Sequence, residues 1–325
     1  MTRRLAIYAA AHFQVDLGCA LLMLGRVCPA ADAAVCILLY NACAFALQMP
    51  IGLLVDRFGG CRWFAAGGCA LTVLAWLLPA GTGAAVCAGV GNACFHVGGG
   101  LDTLHASERA GPLGLFVSPG AFGIYLGGRY ADAAARWAWP VCAALLLAAL
   151  AAALWCKGPE VPPPELPAER GVWPAAACLL AVVVLRSHLG LAADLPWKAD
   201  RGFWAVAALA AGKAAGGLLA DRFGAEQTAA ASLGLAALCY LGAGRAGSGL
   251  AALFLFNMTM PLTLWAVARL LPGLRGFSFG LLTFGLFLGF LPSYFGAAAM
   301  GPPVLAAGAL VSLPPLLAGL RRAGR

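Results

Sequence analysis

Nearly the whole chain is a succession of apolar runs separated by short polar turns. Most runs reach the roughly 17–20 residues that a membrane-spanning helix requires. In lipid every backbone N–H and C=O must be paired within the segment, so the runs are predicted to be helices. We mark twelve of them, at 5–25, 33–55, 63–82, 84–104, 111–128, 137–156, 173–190, 203–220, 227–244, 248–268, 276–296 and 300–318. The expected fold class is an all-α membrane protein with twelve transmembrane helices.

Composition excludes a soluble protein and gives no support for nucleic-acid binding. The sequence is 62% hydrophobic and 10% charged, which is too much apolar surface for a soluble core of this size to bury. The net charge of +8 comes from basic residues in the short loops between apolar runs, where they act as topology signals. Most of these lie in loops on the same side as the N-terminus. We therefore expect the cytoplasmic membrane, with both termini cytoplasmic.

An internal repeat divides the chain. Gly-Leu-Leu-Val-Asp-Arg-Phe-Gly at 52–59 returns as Gly-Leu-Leu-Ala-Asp-Arg-Phe-Gly at 217–224, so the offset is 165 residues. A repeat whose offset is about half the chain indicates two homologous halves, as in many secondary transporters. A proline-rich polar stretch at 157–172 is predicted to be a cytoplasmic linker. It would join an N-terminal six-helix bundle at 1–156 to a C-terminal one at 173–325.

Each copy of the repeat has the composition of a tight turn with a buried carboxylate. Glycine permits the turn, and an aspartate is stabilised at the N-terminus of a neighbouring helix. We predict a conformational latch at each turn; the alternative is simple anchoring of basic residues at the inner membrane face. The residues are Gly52, Asp56, Arg57 and Gly59 in the first copy, and Gly217, Asp221, Arg222 and Gly224 in the second.

These features resemble the major facilitator superfamily, whose signature loop joins helices 2 and 3 and is matched by residues 52–62. Gly60 and Cys61 stand where that family usually has basic residues. The stretch Gly91–Gly100 is similar to helix 4 of fosmidomycin-resistance-type efflux members, with Val97 replacing the usual proline. The stretch Ser118-Pro119-Gly120 is loosely similar to an antiporter motif of helix 5. The resemblance implies two six-helix bundles with helices 1, 4, 7 and 10 lining a central cavity.

Polar residues within the apolar runs concentrate in the first, fourth, seventh and tenth runs. His12 and Asp16 are four residues apart, as are Asn92 and His96, so each pair shares one helix face. Charged groups in lipid are costly and should face a cavity or a partner. We predict that His12, Asp16 and His96 couple transport to protons. Two alternatives stay open: a hydrogen-bonded cluster that only fixes helix packing, and direct substrate contact.

Six further residues are candidates for the substrate cavity: Gln14, Asn92, Arg186, Lys213, Asn257 and Thr259. Lys213 corresponds to Gln48 across the repeat, so the two halves differ at this position. One mid-span carboxylate facing two cations slightly favours an anionic substrate. Arg186 lies near the outer end of its run, where a role at the membrane surface and a role as a gate are the alternatives.

The expected function is secondary active transport of a small molecule by alternating access, as proton-coupled efflux. Proton-coupled uptake of a small organic anion or nutrient is the first alternative, and a non-cycling, transporter-like receptor is the second. No enzyme motif is present, and the cysteines form no metal-ligand spacing. A metal set of His96, Asp102 and His105 in a membrane-embedded enzyme was the remaining rival. We expect no cofactor, no metal site, no nucleic-acid partner and a functional monomer in the lipid bilayer.

Overall fold

The computed structural model describes residues 3–156, 169 and 171–324. Most of the predicted linker lies outside these residues. Its last residue, Val172, already belongs to a helix.

The described residues are almost entirely helical. We number the helices in chain order, treating short breaks as part of one span. Their bounds are α1 Arg3–Ala30, α2 Ala33–Phe58, α3 Cys61–Leu77, α4 Thr82–Ala106, α5 Ala110–Arg129, α6 Ala131–Trp155, α7 Val172–Ala192, α8 Gly202–Phe223, α9 Ala225–Leu241, α10 Ala246–Leu270, α11 Pro272–Tyr294 and α12 Pro302–Ala323. Ten are long and apolar enough to cross a membrane; α3 and α9 have 17 residues each.

Three spans are interrupted near their middle. In α2 a π-helical segment at Ala42–Ala46 precedes a new helix at Gln48. The helix of α5 stops at Val117 and restarts at Pro119, and that of α10 stops at Asn257 and restarts at Thr259. Proline lacks an N–H and disfavours the helical conformation of the residue before it, which explains the interruption in α5. Such breaks leave carbonyl oxygens available to side chains from other helices.

Several observed helix ends differ from the sequence prediction, and α3 is one example. The run was expected to reach residue 82, but the helix ends at Leu77 and Leu78 is extended, with ψ of 154°. Pro79 follows Leu78 and disfavours a helical conformation there. Similarly, α9 ends at Leu241, before the expected residue 244.

The helices pack closely both within each half and between the halves. In the first half, α1 packs on α5 and α6, and α3 packs on α4 and α6. In the second, α7 packs on α11 and α12, and α9 packs on α10 and α12. The main contacts between the halves are α2 with α11 and α5 with α8.

Candidate functional site

The first copy of the repeat joins the two halves through Asp56. Its Oδ1 accepts from the backbone N–H of Gly276 at 2.7 Å, and its Oδ2 accepts from Phe277 at 2.8 Å. Both amides belong to the first turn of the α-helix that begins at Arg275 within α11, where N–H groups have no partner within the helix. The carboxylate of Asp56 therefore caps a helix of the opposite half.

The second copy makes the same contact in the opposite direction. Asp221 Oδ1 accepts from the N–H of Ala110 at 2.8 Å, and Oδ2 accepts from Gly111 at 3.0 Å, at the start of α5. Arg109 Nε lies 3.4 Å from the same carboxylate. The expected position of each aspartate at a neighbouring helix N-terminus is thus confirmed, while the latch role stays a prediction. We call the end of the molecule that carries Asp56 and Asp221 the motif end.

Glycines allow the helices to approach at both latches. A methyl group at Gly52 would overlap the carbonyl oxygen of Gly276, and one at Gly217 would overlap that of Ala110. Gly59 and Gly224 have φ of 71° and 91°, a conformation that side chains other than glycine rarely adopt. The guanidinium groups of Arg57 and Arg222 lie over the rings of the phenylalanines that follow them.

Further bonds between the halves lie at the motif end. Arg275 donates to Glu108 Oε1 at 2.7 Å and to the carbonyl of Leu104 at 3.1 Å. Trp265 Nε1 donates to the carbonyl of Glu108 at 2.8 Å. Together with the two latches, these bonds close the motif end.

A cluster of four polar side chains lies inside the first half. His12 Nε2 lies 3.2 Å from Asp16 Oδ2, and His96 Nε2 lies 3.7 Å from Asp16 Oδ1. Asn92 Nδ2 donates to Asp16 Oδ1 at 3.0 Å. The two histidine Nε2 atoms are 2.9 Å apart. The structure therefore brings together the three residues predicted for proton coupling and one predicted for the cavity. We call His12, Asp16, Asn92 and His96 the central cluster.

The hydrogen bonds fix how protons are distributed in the central cluster. His12 Nδ1 faces the carbonyl of Phe116 at 2.7 Å, and His96 Nδ1 faces the carbonyl of Asn92 at 2.8 Å. A carbonyl oxygen only accepts, so both Nδ1 atoms carry hydrogen. Two neutral imidazoles would then face each other with lone pairs at 2.9 Å. A proton added between the Nε2 atoms would remove this conflict, and the Asp16 carboxylate would balance its charge.

The interruption of α5 connects the central cluster to the second half. The carbonyl of Phe116 accepts from His12, and the adjacent carbonyl of Val117 is 3.5 Å from Lys213 Nζ on α8. Lys213 also lies close enough to Asp16 for their charges to interact. On the other side of the break, Gly120 faces the cluster, where a methyl group would overlap both Asp16 and His12. The backbone of α5 therefore separates His12 and Lys213 by a single peptide unit.

The remaining cavity candidates have different surroundings. Arg186 is 9% exposed, and its guanidinium lies 5.5 Å from the centre of the Phe256 ring. Asn257, at the break of α10, is half-buried and donates to the carbonyl of Leu253. Thr259 is fully buried and donates to the carbonyl of Phe256 in its own helix. Gln14 is half-buried, and its Oε1 has no hydrogen-bond partner.

Two sequence-based alternatives are contradicted. A membrane-surface role for Arg186 is wrong, because its side chain is buried inside the second half, over the ring of Phe256. The metal set of His96, Asp102 and His105 does not form, because Asp102 pairs with Arg4 at 2.6 Å. The donor group that the structure assembles among the described residues is instead His12, Asp16 and His96, whose ligand atoms lie within 4.8 Å of one another.

Sequence reasoning missed the carbonyl groups of Phe116 and Val117. Their role follows from the α5 break, and Pro119 was the available signal. The sequence also could not show that Arg186 has no hydrogen-bond partner among the described residues, because this depends on which helices surround the side chain.

Comparisons with known proteins establish the fold. No family model matches the chain, and no curated protein matches it either. Among solved structures, the E. coli fucose:proton symporter FucP matches with a TM-score of 0.71 at 14% identity, covering 99% of this chain and 98% of that one. A second structure, described as the major facilitator superfamily transporter FucP in the outward conformation, also has a TM-score of 0.71 at 14% identity, covering 100% and 99%.

A bacterial homologue of the iron transporter ferroportin, in its outward-facing state, matches with a TM-score of 0.61 at 14% identity, covering 99% of this chain and 100% of that one. The chain therefore has the fold of major facilitator superfamily transporters. With ten helices long and apolar enough to span a bilayer, it is a multi-pass membrane protein.

Proposed function

We propose that this protein is a proton-coupled secondary transporter that moves a small molecule by alternating access. The observation that carries the proposal is the central cluster, in which two imidazoles and one carboxylate converge on a site for one proton. In this proposal twelve helices form two six-helix bundles in the cytoplasmic membrane. Both termini are cytoplasmic, and the monomer is the functional unit.

The latches supply the conformational step. Asp56 and Asp221 bind helix N-termini across the halves, so both bonds must break when the motif end opens. The central cluster lies between α1, α4 and the broken α5, and α5 itself packs on α8 of the other half. Protonation of the cluster changes the charge beside the α5 break. We infer that this change biases the two arrangements of the halves.

The direction of transport is proposed as efflux in exchange for protons, which follows the helix 4 and helix 5 resemblances. Proton-coupled uptake is the alternative, and its proton and substrate would cross together. Proton flux into proteoliposomes distinguishes the two: with substrate placed inside, exchange alkalinises and co-transport acidifies the external medium.

The proton site is tested directly by selective labelling, because the chain contains four histidines. We would record ¹⁵N NMR spectra of ¹⁵N-histidine protein with Asp16→Asn and with the exposed-site control Asp200→Asn. We expect two residues with protonated Nδ1 and a shared Nε2 proton, altered by Asp16→Asn alone. Proton-driven flux should fall at least about tenfold in the same variant, since removing one partner of a buried pair costs about 2–5 kcal/mol. Intact coupling in Asp16→Asn and His96→Ala would refute the proposal.

A divalent metal ion as cargo is a second candidate, favoured by the donor set of His12, Asp16 and His96. Each imidazole also donates its Nδ1–H to a carbonyl, which is the usual support of a metal-binding histidine. The positive charge of Lys213 nearby disfavours a dication, so this candidate ranks second. Calorimetry with Zn²⁺ and Mn²⁺ would favour it only if binding occurred and disappeared in Asp16→Asn.

A further inference from the structure

Arg186 is a buried cation whose guanidinium has no bonding partner. The side chain is 9% exposed, and Nε is fully buried without a hydrogen bond. Within the residues that the structure describes, no carboxylate or carbonyl oxygen bonds to this guanidinium. Its one specific contact is the face of the Phe256 ring, whose centre is 5.5 Å away. Buried charges are normally paired and hydrogen-bonded, so this arrangement requires an explanation.

The surroundings of Arg186 are rigid. Phe256 is buried and packs edge-on against Tyr240, with ring centres 5.7 Å apart. Phe256 belongs to the last turn before the interruption of α10. An aromatic ring held in this way fixes the plane of a guanidinium above it. The N–H donors of the Arg186 guanidinium are therefore held in one orientation, but they bond to no acceptor among the described residues.

Lys213 is a second cation beside the same stretch of α10. It lies between Gly212 and Gly216, at which α8 packs directly on the α10 backbone at Phe254 and Met258. Lys213 and Arg186 are close enough for their charges to interact. The single polar contact of Nζ is the carbonyl of Val117 at 3.5 Å, which is long for a hydrogen bond.

Charge balance in this region gives the sign of the missing partner. Asp16 offers the nearby negative charge, and it already interacts with His12, His96 and Asn92. If the central cluster holds one added proton, its net charge is zero and both cations are unbalanced. If it holds none, Asp16 can balance only one of them. In either state a positive charge remains.

We propose that Arg186 and Lys213 form the binding site of an anionic substrate, a small organic anion whose carboxylate or phosphate oxygens pair with the Arg186 fork. This inference rests on the proposed transport function and names its substrate class. Planar, two-pronged recognition suits arginine, and the flexible lysine supplies a point charge on the opposite side. The break of α10 beside Phe256 lies where discontinuous helices form substrate sites in many transporters.

The test uses purified full-length protein and matched pairs of probes that differ in charge. Lactate is compared with lactamide, succinate with succinamide, and methylphosphonate with its neutral dimethyl ester; choline is the cationic probe. A ligand that binds the native state raises the apparent unfolding temperature. We expect at least one anion to raise it, and its uncharged counterpart to leave it unchanged.

Variants then assign the effect to the two cations. Arg186→Gln should weaken binding of the active anion about 30-fold or more, because a buried charged partner is lost. Arg186→Lys keeps the charge without the fork and should have an intermediate effect. Arg269→Gln is the matched control, since Arg269 also lies over an aromatic ring of α10, but at the motif end.

The same variants separate a binding role from a structural one. Without ligand, Arg186→Gln should unfold at the wild-type temperature or higher, because it removes an unbalanced buried charge. A lower unfolding temperature without ligand would make Arg186 a structural residue and overturn the proposal.

The proposal would also be overturned if none of the anions raised the unfolding temperature. It would likewise be overturned if the effect of the active anion were unchanged in Arg186→Gln. Proton-driven flux of a neutral or cationic compound would reject the anion site alone, whereas anion binding without proton coupling would reject the proposed coupling alone.

Discussion

The two halves of the molecule are nearly alike at the motif end and unlike in the middle. At the motif end, Asp56 caps α11 and Asp221 caps α5 through the same pair of carboxylate-to-amide bonds. In the middle, the first half contains a bonded cluster of histidines and one carboxylate, while the second contains Arg186 without a partner.

The contacts at the motif end therefore connect the two halves, whereas the middle of the molecule contains the candidate functional site. A motion shared by the two halves would need matching contacts on both sides, and the repeated octapeptide forms a matching pair. A binding site needs groups that differ, because proton binding and ion recognition call for different side chains. Lys213 and its counterpart Gln48 show the change: Gln48 Nε2 bonds within its own helix, whereas Lys213 reaches the α5 break.

The largest effect is expected where a substitution enters the central cluster. Gly120 and Gly285 are equivalent across the 165-residue offset. A methyl group at Gly120 overlaps Asp16 and His12, but one at Gly285 meets the flexible end of Leu180 at 2.8 Å. Gly120→Ala should therefore reduce proton-driven flux at least about tenfold, through overpacking worth about 1–3 kcal/mol. Gly285→Ala should retain most of the flux.

Gly128→Ala is the control in the same helix, because its methyl group would make only ordinary contact with Leu24 at 3.5 Å. Equal loss in Gly120→Ala and Gly285→Ala would show that the halves are not distinguished by the central cluster.

The next effect concerns Gly52 and Gly217, at which helices of the two halves are in close contact. Gly52→Ala and Gly217→Ala each place a methyl group against a backbone carbonyl of the opposite half. Both should lower the free energy of unfolding by about 1–3 kcal/mol, because neither backbone can move aside without separating the helices. Thermal unfolding of the purified variants measures this directly.

Gly67→Ala and Gly234→Ala serve as controls, one in each half, because no atom lies within 4 Å of the added methyl group. Both should be neutral or slightly stabilising. If Gly52→Ala and Gly217→Ala behaved like these controls, the close helix contact would be disproved.

Removing the carboxylate of Asp56 or Asp221 should have a local effect. Asp56→Asn should accelerate hydrogen exchange at Gly276 and Phe277 about tenfold or more, because bonds to a charged acceptor contribute about 1.5–3 kcal/mol. Asp221→Asn should do the same at Ala110 and Gly111. Each variant should leave the other latch protected if the two act separately. Faster exchange at both sites in either variant would instead show that they open together.

The smallest effect is expected for Arg109, which accompanies Asp221 but has no counterpart at Asp56. Its side chain is 71% exposed and lies 3.4 Å from the carboxylate. Arg109→Gln should change the free energy of unfolding by about 0–1 kcal/mol, as is usual for an exposed ion pair. A loss approaching that of Asp221→Asn would mean that the arginine, rather than the helix N-terminus, holds this latch.

Much of the fold could be predicted from residue patterns alone. The apolar runs indicated the helices, since lipid leaves the backbone few alternatives. The position of each repeated aspartate followed from helix electrostatics. The end of α3 was misplaced, because the effect of Pro79 on Leu78 was not taken into account. The break of α5 was signalled by Pro119, but which side chains would reach the freed carbonyl groups was not.

The sequence by itself determined that the chain enters a membrane and that the end of α2 is equivalent to the end of α8. Both conclusions follow from the order of residues, because hydropathy and an internal repeat can be read from it directly. Helical spacing also placed His12 and Asp16 on one face. Only the tertiary structure decided that His96 comes within 2.9 Å of His12, and that Arg186 lies over Phe256 without a bond. Those facts depend on which helices are neighbours and at what depth they cross, and contacts between distant segments set both.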